Sequence, residues 1–563
     1  MFRPLLLATA LGLMAQTATA EVNPGAYLAG RQAQTTNDYR EASRYLAQAL
    51  AGDPNDYAIL EQLAASHISL GEIDEAAAIA SRLTQAGGTS QLANLATLAQ
   101  QTREGEWSRT LEDMEAGLSV GSLFDGLARA WTLLGDGQTD AALAAFDAVA
   151  GQQGLAAFGR YHKALALASL ERFEDAEALL ADGALSLTRR GTVAHAQILS
   201  QLGRPDEAIA TIEEAFGNGT LDEPLSALRD RLQAGETIDY TIARDAVEGM
   251  AETAFDIGNI LVSEASPAFT LLYGRTVTYL RPDHVEAILL NSALLDELGQ
   301  YELAIEASEG IPEDDPAFAA AEIGRAEIMI RSDRLDEAID TLRALSESHP
   351  SRAPILMALA DALREDDRTE EANAVYTDAL EAFGDDDPSR WIALFSRAVT
   401  YERLDEWSEA EADFRAALEV NPDSPIVLNY LGYSMLERGE DYDEALSLIE
   451  RAVAARPDSG FIVDSLGWGL YRLGRFDEAV EPMERAVELM PVDPVVNDHL
   501  GDVYWMVGRK LEARFQWQRA LSFVDNDQND EVEPDRIRRK LEIGLDRVID
   551  EEEGTPLIVN DGG

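Results

Sequence analysis

The chain contains no cysteine among its 563 residues. This absence excludes disulfide bonds and thiolate metal sites, and it excludes lipid attachment through a cysteine at a lipoprotein cleavage site. Lysine is also scarce, because Lys163, Lys510 and Lys540 are the only three and arginine supplies the other basic residues. A binding site that needs several lysines is therefore not expected.

Long hydrophobic runs are missing after residue 20, so no membrane-spanning helix is predicted there. The N-terminus combines Arg3, an apolar run from Leu5 to Ala15 and small residues up to Ala20. This arrangement is typical of a Sec signal peptide. We expect cleavage after Ala20 and a periplasmic protein that is not a lipoprotein. The alternative is a short buried first helix.

Acidic residues far outnumber basic ones, and the formal net charge is -58. Nucleic acid and anionic membrane are poor partners for such a surface, since both carry negative charge. Two interpretations of the acidity stay open. It attracts a basic partner, or it serves solubility or adaptation to salt, which its spread along the whole chain favours.

Small residues recur at fixed distances. A first small residue is followed by a second after 12 positions, a third after 7 more and a proline after 5 more. The pattern returns after 34 positions, as in Gly467, Ala479, Ala486 and Pro491 followed by Gly501, Ala513 and Ala520. Small side chains at these points let paired helices approach closely. The period and spacing are those of the tetratricopeptide repeat.

The same spacing extends through most of the chain and predicts about fourteen helical hairpins, six before a break near 217–248 and eight after it. Its first and second small positions include Gly30 and Ala42, Ala164 and Ala176, Ala326 and Ala338, and, more weakly, Gly258 and Thr270. A glycine seven residues after the first small position predicts a left-handed turn between the two helices. These glycines are Gly71, Gly105, Gly137, Gly203, Gly299, Gly439, Gly474 and Gly508.

These observations predict a chain organised in six parts. A signal peptide over 1–20 precedes an N-terminal array over 21–216 and an irregular junction over 217–248, in which the run 236–243 is poorly helical. A C-terminal array over 249–524 follows. An acidic loop and a capping helix occupy 525–550, and 551–563 form a disordered tail.

The chain resembles the tetratricopeptide repeat family over most of its length, most specifically from Trp391 to Leu521. The runs NYLGYSMLERGEDYDEAL, FIVDSLGWGLYRLGRFDEAVEPMERAV and NDHLGDVYWMVGRKLEARFQWQRAL resemble exported proteobacterial repeat proteins. That resemblance implies a scaffold, and some such proteins are adaptors that bring substrates to a carboxyl-terminal processing protease. Those adaptors are commonly lipoproteins, whereas this chain lacks the lipid-bearing cysteine.

The family resemblance also implies an all-α solenoid wound into a right-handed superhelix, with the first helix of each hairpin lining a concave groove. The positions that it assigns to the protein-binding groove are Ile392, Phe395, Asn429, Tyr433, Asp464, Trp468, Tyr471, Arg472, Asp498, Asp502 and Trp505. Aromatic anchors beside polar groups suit a peptide-binding groove. The alternative is that Trp468 and Trp505 pack between helices as core. A carboxylate clamp of lysines and asparagines is disfavoured, since Asn429 and Arg472 alone form a weak one.

The sequence contains no recognisable catalytic, cofactor-binding or metal-binding motif. The six histidines are His67, His162, His195, His284, His349 and His499, and none has a second ligand at metal spacing. We expect His499 to lie near Asp464, Asp498 and Asp502. The segment 432–434 lacks the second glycine of a nucleophile elbow. The acidic run 525–530 resembles the start of a calcium loop but lacks its glycine and closing glutamate.

Three functions follow from these observations. The first is a non-enzymatic periplasmic scaffold or adaptor that binds proteins or peptides of the cell envelope. The second is a structural subunit that associates with itself, through the final helix. The third is a hydrolase with an unrecognised site in the irregular junction, which is too short to form a domain of its own.

Overall fold

The computed structural model describes residues 23–181, 185–217, 221–384, 387–524 and 532–552. All regular secondary structure among these residues is helical, and none of these helices is long and apolar enough to cross a membrane. The predicted signal peptide, the calcium-like run 525–530 and all but two residues of the predicted tail lie outside the described residues. The chain divides into two compact units, Met1–Ala338 and Ile339–Gly563.

The described part of the first unit begins with six helical hairpins. They are α1 (Pro24–Thr35) with α2 (Tyr39–Leu50), α3 (Tyr57–Leu70) with α4 (Ile73–Gln85), α5 (Gln91–Glu104) with α6 (Trp107–Ala116), α7 (Ser122–Gly135) with α8 (Thr139–Ala150), α9 (Ala156–Ser169) with α10 (Phe173–Leu180), and α11 (Arg189–Gln201) with α12 (Pro205–Phe216). A single helix, α13 (Glu223–Gln233), follows. The unit continues with α14 (Ala246–Glu264), α15 (Pro267–Leu280), α16 (Val285–Glu297), α17 (Tyr301–Ser308) and α18 (Phe318–Arg331).

The next helix, α19 (Leu335–Ser348), begins in the first unit and ends in the second. Among the described residues, five hairpins and two short helices follow. They are α20 (Ala353–Glu365) with α21 (Thr369–Ala382), α22 (Arg390–Arg403) with α23 (Trp407–Val420), α24 (Pro425–Arg438) with α25 (Tyr442–Ala455), α26 (Gly460–Arg472) with α27 (Phe476–Leu489), α28 (Pro494–Met506) with α29 (Lys510–Phe523), then α30 (Pro534–Ile543) and α31 (Leu545–Glu551).

The predicted small positions lie where the two helices of a hairpin touch. Ala479 and Ala513 are fully buried. A methyl group added at Gly467 would lie 2.2 Å from the Met483 sulfur, and one at Gly501 would lie 2.4 Å from the Trp517 ring. The helices are therefore packed against each other at the positions that the 34-residue pattern singled out, and the predicted solenoid of helical hairpins is confirmed.

The predicted glycine turns inside the hairpins are also present. All eight glycines of the pattern have positive φ angles, between 70° and 84°. Where a repeat has another residue at this position, the backbone takes the same left-handed conformation, which costs a non-glycine residue some strain. These residues are Asn37, Glu171, Asp333, Asp367 and Asp405.

The hairpin of α14 and α15 departs from this rule. Its equivalent turn residue, Ala265, is extended, with φ -132° and ψ 173°.

The hairpin of α14 and α15 packs along the first helices of the N-terminal array: α14 contacts α5, α7 and α9, and α15 contacts α3 and α5. The first-helix surface of these N-terminal hairpins is therefore covered by the chain itself, which the repeat pattern did not predict.

Close packing and polar contacts hold this hairpin in place. The Cα of Gly249 lies so close to Trp131 that an added methyl group would sit 2.3 Å from the ring. The Trp131 indole donates a hydrogen bond to Nδ1 of His162 at 3.1 Å, and Nε2 of His162 donates to Asp256 at 3.1 Å. Arg275 donates to the Ser69 carbonyl at 3.0 Å. The contacts join α14 and α15 to three different first helices.

A buried ion pair adds a fourth connection. Arg190 on α11 makes two hydrogen bonds to Glu252 on α14, at 2.6 and 2.7 Å, and a further pair to Glu286 on α16 at 2.9 Å. Burial raises the pKa of Glu252, but the Arg190 guanidinium and the neighbouring His284 lower the pKa more, to about 2. Glu252 is thus held as a carboxylate in the interior.

The described residues of the junction over 217–248 include the helix α13 and the start of α14, and they lie inside the first unit. The run 236–243 is not helical. Side chains of α11 bind its backbone instead: Ser200 accepts from the Ile238 amide at 2.9 Å, and Gln197 accepts from the Thr241 amide at 2.9 Å. The run is therefore attached to the N-terminal array by hydrogen bonds that replace those of a helix.

Candidate functional site

The candidate surface is formed by first helices of the second unit. α24 packs against α26, and α26 packs against α28, so the first helices of successive hairpins lie side by side. The eleven residues assigned to the groove all lie on α22, α24, α26 and α28. In the structure these residues lie in three different environments, and the environment determines what each side chain is able to contact.

Three of the eleven residues line a cavity, five lie elsewhere on the surface in full or partial exposure, and three are buried away from the cavity. The cavity group is Asn429, Tyr433 and Asp464. The surface group is Ile392, Phe395, Trp468, Arg472 and Asp498. The buried group is Tyr471, Asp502 and Trp505.

The cavity has a volume of about 520 Å³ and lies among α24, α26 and α28, with α22 at one edge. We call it the acidic cavity, because four of its lining side chains are carboxylates. Its polar lining residues are Glu402, Asn429, Ser434, Glu437, Asp464, Ser465, Asp493 and His499. Its apolar and aromatic lining residues are Tyr430, Tyr433, Phe461, Met490, Val495 and Val496.

A buried hydrogen-bond acceptor lies in the wall of the acidic cavity. Asn429 is 2% exposed, and its side-chain nitrogen donates to Ser465 Oγ at 3.2 Å. The Ser465 hydroxyl donates its own proton to the Phe461 carbonyl at 3.1 Å. Ser465 Oγ can therefore only accept from Asn429, which fixes the orientation of the Asn429 amide. No donor among the described residues reaches the Asn429 oxygen. A buried acceptor without a donor is costly and rare.

His499 connects the cavity to an aromatic stack. Its Nδ1 lies 3.0 Å from the Asp464 carboxylate, as the sequence predicted, and its ring stacks on Trp468 with centroids 3.9 Å apart. Trp468 stacks in turn on Tyr471 at 4.7 Å. Burial alone lowers the pKa of His499, but the Asp464 carboxylate raises it, and the balance holds the pKa above its usual value.

The four carboxylates of the cavity differ in their partners. Asp464 faces His499, and Glu437 accepts from Arg472 at 2.9 Å. Asp493 accepts from the Val496 amide at 3.0 Å and caps the N-terminus of α28. Glu402 has no ion-pair or hydrogen-bond partner for its side chain within the described ranges. The cavity thus contains one uncompensated carboxylate beside the free Asn429 oxygen.

The C-terminal end of the first-helix surface is covered by α30. Lys540 is fully buried there and donates to Asp498 at 2.8 Å and to Asp502 at 2.7 Å. Asp502 also accepts from the Trp517 indole at 2.8 Å, and burial raises its pKa above the usual range. Trp505 packs against Trp517, with ring centroids 5.3 Å apart. Asp502 and Trp505 therefore contact other helices of the chain and are not open to a partner here.

The sequence pattern missed several lining residues. Met490 and Asp493 come from the end of α27 and the turn before α28, which a rule restricted to first helices leaves out. Phe461, at the start of α26, is 56% exposed despite its size. An aromatic residue in the first turn of a first helix was a usable signal, whereas the free acceptor of Asn429 depends on side-chain geometry alone.

Models of the tetratricopeptide repeat match the chain in five segments. One model matches 357–411 and 397–460, a second matches 35–99 and 297–362, and a third matches 193–217. No curated protein matches the chain. Among the described residues, no group of three or more histidines or carboxylates is arranged to hold a metal ion.

Solved structures of repeat proteins are similar at low identity. A tetratricopeptide repeat protein from Parabacteroides merdae is 20% identical, with 46% of this chain and 98% of that chain covered and a TM-score of 0.37. The hetero-tetramer Cut9-Hcn1 of the APC/C is 14% identical, with coverages of 92% and 96% and a TM-score of 0.38. YrrB, a tetratricopeptide repeat protein with an unusual peptide-binding site, is 21% identical. The match covers 33% of this chain and 93% of YrrB, with a TM-score of 0.27.

The family matches lie in both units, where hairpins with buried small residues and left-handed turns repeat along the chain. Proteins built from this repeat are generally interaction scaffolds that bind other proteins or peptides, and the fold is typically non-enzymatic. The chain is therefore an all-α solenoid of helical hairpins, with tetratricopeptide repeats in the matched segments.

Proposed function

We propose that this protein is a scaffold that binds a partner protein through the first-helix surface of its second unit, at the acidic cavity. The observation that supports this most directly is the combination in one cavity of a buried free acceptor, Asn429, with an exposed aromatic, Phe461. Interface anchors need apolar area for affinity and a few directed polar groups for orientation.

A matched pair of substitutions tests the surface. Phe461 lines the cavity and is 56% exposed, whereas Phe515 on α29 is 58% exposed and does not line it. The full chain is used as bait for crosslinking in an extract of its own cells, and captured proteins are identified by mass spectrometry. Phe461→Ala should remove specific partners that Phe515→Ala retains. Equal capture by both variants would show that this surface is not the binding site.

Export to the periplasm is part of the proposal and is supported by the sequence of residues 1–20. N-terminal sequencing of the protein from fractionated cells should find the mature chain beginning at Glu21 in the periplasmic fraction. Recovery of an intact Met1 in the cytoplasmic fraction would contradict export.

An adaptor role for a carboxyl-terminal processing protease is the finer form of this proposal, and it is supported only by the likeness of the three C-terminal runs to such adaptors. Purified protease and a captured partner should react faster when the full chain is added. Phe461→Ala should remove the acceleration, and Phe515→Ala should leave it. No acceleration by the unchanged protein would leave a scaffold without this role.

A further inference from the structure

Several lining groups of the acidic cavity define the chemistry of what binds there. The Asn429 oxygen is a fixed acceptor because the Ser465 hydroxyl occupies the Asn429 nitrogen. A ligand that satisfies this oxygen must present an N–H or O–H donor. A carbonyl or carboxylate group of a ligand would leave the acceptor unpaired.

The charges that line the acidic cavity limit further which ligand group is able to bind there. Four carboxylates line the cavity, and the basic side chains beside them, His499 and Arg472, already face Asp464 and Glu437. Glu402 remains without a cation among the described residues. An added positive charge would lower the electrostatic energy of this site, whereas an added negative charge would raise it.

The walls indicate the shape of the cation. Tyr430, Tyr433 and Phe461 supply aromatic surface, and Met490 and Val495 supply aliphatic surface. A guanidinium group stacks on aromatic rings and offers five N–H donors in one plane, while its three-carbon stem packs on apolar side chains. A lysine ammonium carries donors and charge but has no flat face to stack.

We propose that the acidic cavity binds an arginine side chain of the partner, with an apolar residue next to that arginine in the sequence packing on Phe461. This inference rests on the proposed function and adds to it the chemical identity of the bound segment. The guanidinium donates to the Asn429 oxygen and pairs with Glu402, and the neighbouring apolar residue covers the exposed ring.

The test uses the full chain and three short probes, measured by isothermal titration calorimetry. The probes are acetyl-leucyl-arginyl-leucine amide and the same peptide with citrulline or lysine in the centre. Citrulline has nearly the shape of arginine without its charge. The arginine probe should bind at least about tenfold more tightly than the citrulline probe, because the charge-assisted hydrogen bonds are lost in the latter. The lysine probe should lie between them.

Three variants separate the site from the surface as a whole. Asn429→Leu should weaken the arginine probe roughly tenfold by removing the buried acceptor. Glu402→Gln, at a partly exposed position, should weaken it severalfold while the chain stays folded. Glu409→Gln removes the same charge from an exposed position on α23, outside the cavity, and should leave binding unchanged. Circular dichroism melting curves verify that each variant is folded.

Three results would overturn the inference. The first is equal affinity for the arginine and citrulline probes, and the second is unchanged arginine affinity in the folded Glu402→Gln variant. The third is no binding of the arginine probe at about 5 mM, since so small a ligand is expected to bind in the millimolar range. If Phe461→Ala still loses its protein partners in that case, the scaffold function stands without arginine recognition. If the probes discriminate but no partner is lost, the cavity is an arginine site and the scaffold proposal fails.

Discussion

The two units use the same repeat but leave their first helices in different states. In the first unit, α14 and α15 lie along the first helices of the N-terminal array and cover them. In the second unit, α24, α26 and α28 leave the acidic cavity open, whereas Lys540 of α30 covers Asp498 and Asp502 on α28. The comparison teaches that the repeat builds the surface, whereas the rest of the chain decides whether a partner has access to it.

The largest expected effect comes from breaking the buried ion pair that holds the covering hairpin. Arg190→Met removes both hydrogen bonds that Arg190 donates to the buried Glu252 carboxylate and should destabilise the first unit by about 3–5 kcal/mol. Hydrogen exchange followed by mass spectrometry should show faster exchange in α14 and unchanged exchange in α28. Arg204→Met, which breaks an exposed pair with Glu207, is the control and should change exchange in α14 much less.

Acid should weaken the ion pair between Arg190 and Glu252. The pKa of Glu252 is lowered to about 2 in the folded state, and Arg190, Arg281 and His284 are the basic side chains that face it. A lowered pKa means that the unfolded carboxyl takes up a proton first. The Glu252 carboxylate therefore contributes about 3 kcal/mol to the free energy of unfolding above about pH 4.5, and this contribution is lost as the pH falls toward 2.

This pH dependence is measured as the difference between the unchanged protein and Glu252→Gln in urea unfolding at several pH values. The unchanged protein should lose more stability than the variant between about pH 4.5 and 2. Parallel curves over that range would show that Glu252 is not held as a carboxylate by its neighbours.

A smaller effect is expected from one methyl group at the contact of α14 with the array. Gly249→Ala places a carbon 2.3 Å from the buried Trp131 ring and should cost about 2 kcal/mol through overpacking. Gly324→Ala in α18 is the control, because no atom lies within 4 Å of the added carbon, and it should stabilise by up to about 1 kcal/mol. Thermal unfolding by calorimetry compares the two. Equal effects would contradict close packing at Gly249.

The smallest effect on stability belongs to the open surface. Phe461→Ala removes a side chain that is 56% exposed and should change the free energy of unfolding by less than about 1 kcal/mol. The same substitution should have a large effect on partner capture. A loss of stability comparable to that of Gly249→Ala would mean that Phe461 supports the fold rather than binding.

The helical hairpins and their turns were predictable because local chemistry decides them. The small residues and the eight glycines identified the close contacts and the left-handed turns, and the structure places other residues in the same conformation at five equivalent positions. The sequence also predicted that His499 lies near Asp464. Both predictions depend on spacing within a repeat and between neighbouring repeats, where geometry is nearly constant.

Contacts between distant parts of the chain were not predictable in this way. The packing of α14 and α15 on first helices depends on pairs such as Gly249 with Trp131, 118 positions apart. The predicted single capping helix is two helices, α30 and α31, separated at Gly544 with φ 89°. Lys540 of α30 then covers two residues assigned to the groove, Asp498 and Asp502. None of these contacts follows from the repeat period.

The amino-acid sequence by itself determined the all-α repeat, the helix contacts and the left-handed turns, because each depends on residue size and backbone freedom within about 34 positions. Only the tertiary structure decided which first helices are covered, and which polar atoms, such as the Asn429 oxygen, are buried without a partner. Burial and hydrogen bonding are set by neighbours that the fold brings together from distant positions.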